Sequence, residues 1–372
     1  VTGRLRAHRR EEAVTPWPDD PRAEAFDLLD EEGRVVGIAT LGLTGQVVDR
    51  TLADDPGLPF AVKCWLAARG ARAIALCDED GKTIEEGPFA VADLSDPDSS
   101  AAQRIVTLAP SNAEVVASLS CFDRVLACED SSEPPEGYEP LARLGPDLSP
   151  DLERVAALSP DLVVSSLSVP GMERVVTGLR ARGLRQRVLA PRSLADVMAD
   201  VQAVAADLGV PERGEAVVAR MRTEIEALEQ QARTPPARVY LEWWPRPMFT
   251  PGADCYSREL IALAGGVNAF LDRPASSVQI EPEELIAADP DVCFVSWCGV
   301  AEDKLDPDNL VQREGLEDLR AAKAGHVYRL DERYSGRPGP NMLEAARRMA
   351  EKIASLPTVA TEGSDTHPHA KG

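Results

Sequence analysis

Two stretches of the chain, 130 positions apart, spell the same structural unit. They are Pro150-Asp151-Leu152-Glu153-Arg154-Val155-Ala156-Ala157-Leu158-Ser159-Pro160-Asp161-Leu162-Val163-Val164 and Ile280-Glu281-Pro282-Glu283-Glu284-Leu285-Ile286-Ala287-Ala288-Asp289-Pro290-Asp291-Val292-Cys293-Phe294. Each reads as a short helix opened by Pro, stopped at a Ser-Pro-Asp or Asp-Pro-Asp break, then an apolar run long enough for a buried strand. Glu153 and Glu283 fall in the first helical turn and coincide when the Pro-Asp pairs are superposed. A duplicated helix-strand unit predicts two similar α/β lobes. Two lobes make a cleft, and two matched carboxylates make a symmetric handle.

The surrounding order supports duplication. Arg104-Ile105-Val106-Thr107-Leu108 reads as the first strand of one lobe, and Ser111-Asn112-Ala113-Glu114 has capping-box spacing for the helix after it. Arg187 to Ala190 supplies a further strand and Ser193 to Leu208 a helix. Between Pro211 and Arg233, Val217, Val218, Met221, Ile225, Leu228 and Ala232 recur at helical spacing, so one long helix links the halves. Arg238 to Glu242 then opens the second lobe, Ser257 to Ala264 is its helix ended by Gly265-Gly266, and His326 to Leu330 answers the strand at Val188. The expected divisions are an arm over 1–25, a small β-rich domain over 26–100, lobes over 102–210 and 235–357 joined by a helix over 211–234, and a tail over 358–372. Within the β-rich domain, 26–36 and 73–84 read as hairpins turning through acidic-Gly segments, with one helix near Phe60 to Arg69.

Charge narrows the partners. With 62 acidic against 40 basic residues, a net charge of −22 repels phosphate backbones and anionic membrane surfaces, which excludes nucleic acid as a partner. The same acidity fits a surface adapted to salt. No apolar run reaches the roughly 18–20 residues of a bilayer span, and Val1 to Arg10 has no apolar core of a secretory signal, so the chain as written is expected in the cytoplasm. Seven scattered cysteines form no disulfide framework, and Cys293, in a predicted strand, reads as a small hydrophobe. No Cys-x-x-Cys is present, and His8, His326, His367 and His369 lack zinc-site spacing, so no metal held by the protein is expected. A phosphate-cradling glycine loop, a Gly-x-Ser-x-Gly elbow and a His-Glu-x-x-His run are likewise missing from the sequence, so the expectation is a binding protein with no catalytic residues and no catalytic cofactor.

The Arg104 to Glu114 stretch, the Glu153 and Glu283 units, and the connecting helix together resemble the cobalamin and iron-complex substrate-binding proteins of ABC importers. The likeness covers about residues 102–356. Glu242-Trp243-Trp244, Gly265-Gly266-Val267-Asn268, Ser296-Trp297-Cys298-Gly299 and Arg337-Pro338-Gly339-Pro340 further resemble the cobalamin-binding branch. The resemblance implies two Rossmann-like α/β lobes joined by one long helix, with a metal chelate held between them. It implies cobalamin as ligand, haem or a ferric siderophore as the alternative, a monomer, and an ABC permease whose arginines dock onto Glu153 and Glu283. That family is usually extracytoplasmic. Where enterobacterial-type cobalamin binders carry aromatic rings, this chain has Ser165-Ser166 and Ser276-Ser277. A cytoplasmic corrinoid handling or sensing protein is the second reading, motivated by the first hundred residues, which the resemblance leaves unexplained.

A corrin or porphyrin is a broad apolar plate with polar edges, so its site needs flat aromatic surfaces and a few placed polar groups. Trp243, Trp244 and Trp297 stand at the carboxyl ends of predicted strands, where clefts of open α/β sheets lie. Of the adjacent Trp243 and Trp244, only one can face inward. Tyr256 and Tyr334 are further candidates. Pro110, Ser111 and Asn112 open a helix whose free N–H groups can meet a ligand carbonyl, with helix capping by Ser111 as the plainer role. Arg337, in a Pro/Gly-rich loop, is a candidate for a ligand carboxylate or phosphate.

Overall fold

The computed structural model describes residues 100–357 apart from 139, 140 and 170, and before them residues 6–9, 24–29, 35–41, 47–51, 60, 63–64, 67–68, 73–77, 83–88 and 91–96. The expected histidines His367 and His369 and the tail over 358–372 lie outside the described residues. Ahead of the lobes, β1 (Arg6–Arg9), β2 (Glu24–Leu29), β3 (Val35–Leu41), β4 (Val47–Thr51), β5 (Ala73–Cys77) and β6 (Thr83–Pro88) form one six-stranded sheet in that order. The two hairpins expected over 26–36 and 73–84 are the antiparallel pairs β2–β3 and β5–β6.

The first lobe is built on a parallel sheet of β7 (Ile105–Thr107), β8 (Val125–Cys128), β9 (Ala142–Arg143), β10 (Leu162–Ser166) and β11 (Gln186–Leu189), in the order β11-β10-β7-β8-β9. The second carries β12 (Ala237–Glu242), β15 (Gly266–Asn268), β17 (Val292–Val295) and β18 (Val327–Arg329), in the order β15-β12-β17-β18. Superposing the duplicated units maps β10 on β17 and β7 on β12, so the two orders are the same walk across a sheet. The second lobe adds an antiparallel sheet of β13 (Trp244–Pro245), β14 (Met248–Pro251) and β16 (Ser277–Ile280), which the sequence pattern does not announce.

The repeat is reproduced down to single backbone groups. Glu153 and Glu283 are each the second residue of their helices, Leu152–Ala157 and Pro282–Ala288. Each break holds a left-handed residue, Ser159 (φ 48°) and Asp289 (φ 41°), again 130 apart. Two residues on, Asp161 Oδ2 accepts the N–H groups of Gln103 and Arg104, both at 3.0 Å, and Asp291 Oδ2 accepts that of Arg238 at 2.7 Å. Each aspartate thereby ties the strand after the break to the lobe's opening strand, which is why Pro-Asp recurs.

Side chains alternate across both sheets with the strand period of two. Ile105, Leu162, Val164, Val239, Leu241 and Phe294 fall on one face, in a core shared by both lobes, while Val106 and Val163 pack on the far side of the first sheet and Tyr240, Cys293 and Val295 on the far side of the second. The linker helix Pro211–Gln231 and the C-terminal helix Leu343–Ala354 lie along that shared core through Val217, Met221, Leu228, Met349 and Ile353. At 1.5 Å per residue the linker is about 32 Å long. It stops two residues before Arg233, where Ala232 turns extended (φ −59°, ψ 134°). One continuous core under both lobes makes the pair stiff.

The helix after β7 differs from expectation. It begins at Pro110, with Ala109 at the N-cap and no side chain capping it, so Ser111 sits inside the first turn. Pro at the first helical position needs no N–H partner and moves the start two residues earlier than the capping-box reading, from an N-cap at Ser111 to one at Ala109. Glu114 is thereby free to face the other lobe.

Candidate functional site

A cavity of about 280 Å³ opens between the lobes at the carboxyl ends of their parallel strands. The first lobe contributes Leu167, Ser168 and Val169 after β10 and Ala190, Pro191 and Arg192 after β11. The second contributes Trp243 after β12, Cys298 beyond β17, Ser276 and Ser277 at β16, and Asp254, Cys255 and Tyr256 before the helix Ser257–Leu263. Gly336 completes the described wall of the lobes.

The adjacent tryptophans divide as strand alternation requires. Trp243 lines the cavity, and its indole Nε1 is buried without a partner among the described residues. Such a donor costs about 1–3 kcal/mol until something accepts from it. Trp244 points the other way, is 43% exposed and donates its Nε1 to Arg246 O at 3.1 Å. Tyr256 presents its ring to the cavity while its hydroxyl donates to Gly336 O at 3.0 Å, and burial pushes the phenol well above its usual range.

Trp297 is held elsewhere. Its Nε1 donates to Glu242 Oε1 at 2.9 Å, and Glu242, fully buried at the end of β12, also accepts from Tyr240 Oη at 2.9 Å and from Arg313 at 2.7 and 3.0 Å. A buried carboxylate with every lone pair engaged is a rigid post, and it fixes the ring of Trp297 against the second lobe's outer core rather than among the residues lining the cavity. Tyr334, half-buried, lies beneath Arg348, whose guanidinium carbon is 4.7 Å from the ring centroid. Pro110, Ser111 and Asn112 also stand apart from the described lining, and Asn112 Nδ2 donates to Val164 O at 2.9 Å inside the first lobe.

Arg337 is a tie between lobes. Its guanidinium lies 3.4 Å from Glu114 and 3.4 Å from Glu332, and Asn341 Nδ2 donates to Glu114 at 3.3 Å. Burial pushes the Glu114 carboxyl up to about 7, against the opposing pull of Arg337. A second link runs from Leu194 N–H to Glu259 Oε2 at 2.7 Å, and a third pairs Arg333 with Glu133. On the outer surface, Glu153 is 81% exposed and bonded to Arg182 at 2.7 Å, and Glu283 is also exposed.

Arg192 is the lining residue that sequence reasoning passed over with the most chemistry. It is the single cation among the described lining residues, and burial lowers its pKa with Asp254 opposing. The strand-end rule that singled out the tryptophans also points to it, since it follows the strand expected over Arg187 to Ala190. Cys255 and Cys298 line the cavity as well; burial raises both thiols, that of Cys298 to about 11. Among the described residues no cluster of His, Cys, Asp and Glu is arranged to hold a metal ion. No described helix is long and apolar enough to cross a membrane.

Two duplicated parallel-sheet lobes, a single stiff linker helix and an interlobe cavity define a two-lobed solute-binding protein. The periplasmic binding protein family model matches residues 105–334, and the chain belongs to that family. The vitamin B12-binding protein of Yersinia pestis (strain Pestoides F) is 26% identical over 263 residues, 70% of this chain and 90% of that protein. Among solved structures, the periplasmic heme-binding protein of Roseiflexus sp. RS-1 superposes with a TM-score of 0.60 at 28% identity, over 68% of this chain and 97% of that one. The periplasmic vitamin B12 binding protein of Vibrio cholerae does so with a TM-score of 0.59 at 24% identity, over 68% and 97%, and shares the fold.

Proposed function

We propose that the protein captures a cobalamin-like corrinoid between its lobes and delivers it to an ABC importer, without turning it over. The observation that carries this reading is Trp243: a flat apolar ring in the cleft whose buried N–H lacks an acceptor among the described residues. A ring face and one donor are what the plate and the amide-bearing edge of a corrin need. Tyr256 adds a second aromatic wall, and the likeness to proteins named for vitamin B12 binding favours the same ligand class. Haem is the second reading, favoured by Arg192, which suits an anionic edge such as a propionate; a ferric siderophore is the third.

The exposed, equivalent Glu153 and Glu283 are proposed to engage permease arginines, one per lobe. Exposed ion pairs contribute about 0–1 kcal/mol each, so this contact sets register more than affinity. Delivery to a permease places the working protein outside the cytoplasm, as a monomer. Titration with cyanocobalamin, haemin and ferrichrome, read by tryptophan fluorescence and ligand absorbance, tests the reading. Saturable one-to-one quenching by cyanocobalamin, with affinity of about −8 to −12 kcal/mol, is expected. Binding of another chelate changes the substrate; binding of none removes the reading.

A further inference from the structure

The cleft has a third wall that comes from neither lobe. Phe60, Lys63, Cys64, Ala67 and Ala68 have helical backbone, and their spacing places them on one helix face. That face rests on the first lobe. The guanidinium carbon of Arg180, in the helix Glu173–Ala181, lies 3.9 Å from the Phe60 ring centroid. Cys64 is fully buried, and Arg180 and Glu173 are its charged neighbours. Further along the same face, Ala67 and Ala68 line the interlobe cavity. The chain is fastened to the first lobe again at Ser95 and Asp96: Ser95 Oγ accepts from Val188 N–H at 2.9 Å, and Asp96 N–H donates to Gln186 O at 2.9 Å. Those bonds cover the outer edge of β11, the strand whose end carries Arg192 into the cleft.

We propose that the segment carrying Phe60, Cys64, Ala67 and Ala68 is an intramolecular plug of the cleft, displaced when a metal chelate binds. This rests on the chelate-binding reading. The argument is one of space and of surface. Pockets for drug-sized ligands run to roughly 300–1,000 Å³, and a corrinoid with its side chains is larger than such ligands. With Ala67 and Ala68 in place the cavity holds about 280 Å³. The lobes share one core and are stiff, so room comes from the segment rather than from opening the lobes. Its described seating is noncovalent and so reversible: Arg180 stacks on the Phe60 ring, Cys64 and Ala67 are buried, and the Cys64 thiol is free of any disulfide. A plug closed about 90–99% of the time weakens apparent affinity roughly ten- to hundredfold relative to an open cleft.

Cys64 gives the readout, because its sulfur is covered while the segment is seated. The full chain is pulsed with N-ethylmaleimide, alone and saturated with cyanocobalamin, haemin or ferrichrome, and Cys64 is quantified by peptide mass spectrometry. Expected is slow labelling in the free protein and labelling at least about tenfold faster with whichever chelate binds. Phe60→Ala and, from the lobe side, Arg180→Ala are each expected to speed labelling without chelate and to raise the association rate roughly two- to thirtyfold. A chelate that binds while Cys64 stays as protected as before overturns the plug and leaves the chelate reading standing. Binding of none of the three by the native chain or either variant overturns the chelate reading, and the plug with it.

Discussion

Arg337 of the second lobe reaches Glu114 of the first at 3.4 Å, and both side chains are about 15% exposed. Burial holds the Glu114 carboxyl near pH 7, above the usual value of 4.5. The folded state therefore binds a proton that the unfolded state has released between about pH 4.5 and 7, so this group costs stability as pH rises through that window. Glu114→Gln is expected to be more stable than the native chain by about 1–3 kcal/mol at pH 8, with the difference vanishing near pH 4.5. Thermal unfolding of both proteins from pH 4.5 to 8.5 checks it; parallel curves would count against a buried, proton-binding Glu114.

The Glu242 post makes a sharper stability prediction. Arg313→Met removes the bidentate partner and leaves a buried carboxylate held by Tyr240 and Trp297 alone. A loss of about 3–5 kcal/mol is expected in urea unfolding. The double variant Arg313→Met with Glu242→Gln is expected to recover part of that loss, since no unpaired charge then remains buried.

The two neighbouring tryptophans separate site from surface. Trp243→Ala is expected to weaken chelate binding by about 3 kcal/mol or more, roughly a hundredfold, because it removes the ring that lines the cleft. Trp244→Ala, at an exposed ring outside the cavity, is expected to leave affinity within about twofold of the native value. Equal effects from both, measured by absorbance titration, would dissolve the assignment of Trp243 to the ligand.

Charge reversal at the handles isolates delivery from capture. Glu153→Arg together with Glu283→Arg is expected to leave chelate affinity unchanged, since both lie outside the described lining of the cavity, and to cut uptake through a liposome-reconstituted permease by about tenfold or more. Each single reversal is expected to fall between, and undiminished transport in the double variant would free both glutamates of the role.

Local pattern was enough for the architecture. Pro-Asp breaks, apolar runs of strand length and helical spacing in the linker are short-range signals, and duplication made each copy a check on the other. The same signals placed Glu153 and Glu283 at equivalent helix positions, and strand alternation required Trp243 and Trp244 to part company. Which of the two faces the cleft is a tertiary matter, settled by how β12 sits between β15 and β17.

The rest depended on contacts between residues distant in sequence, which no local period encodes. Trp297 follows a strand as Trp243 does, yet a buried carboxylate 55 residues away takes its N–H. Arg337 follows a loop motif that points to a ligand, yet Glu114, 223 residues earlier, is its partner across the lobes. Ala67 and Ala68 carry no signal at all, since alanine is at home on any helix face; only packing shows that they face the cleft. The sequence by itself determined the two lobes, their linker and the matched handles, because those follow from periodicity and turn chemistry. The tertiary structure decided which polar and aromatic groups remain available to a ligand, because availability is what is left after long-range partners have been chosen.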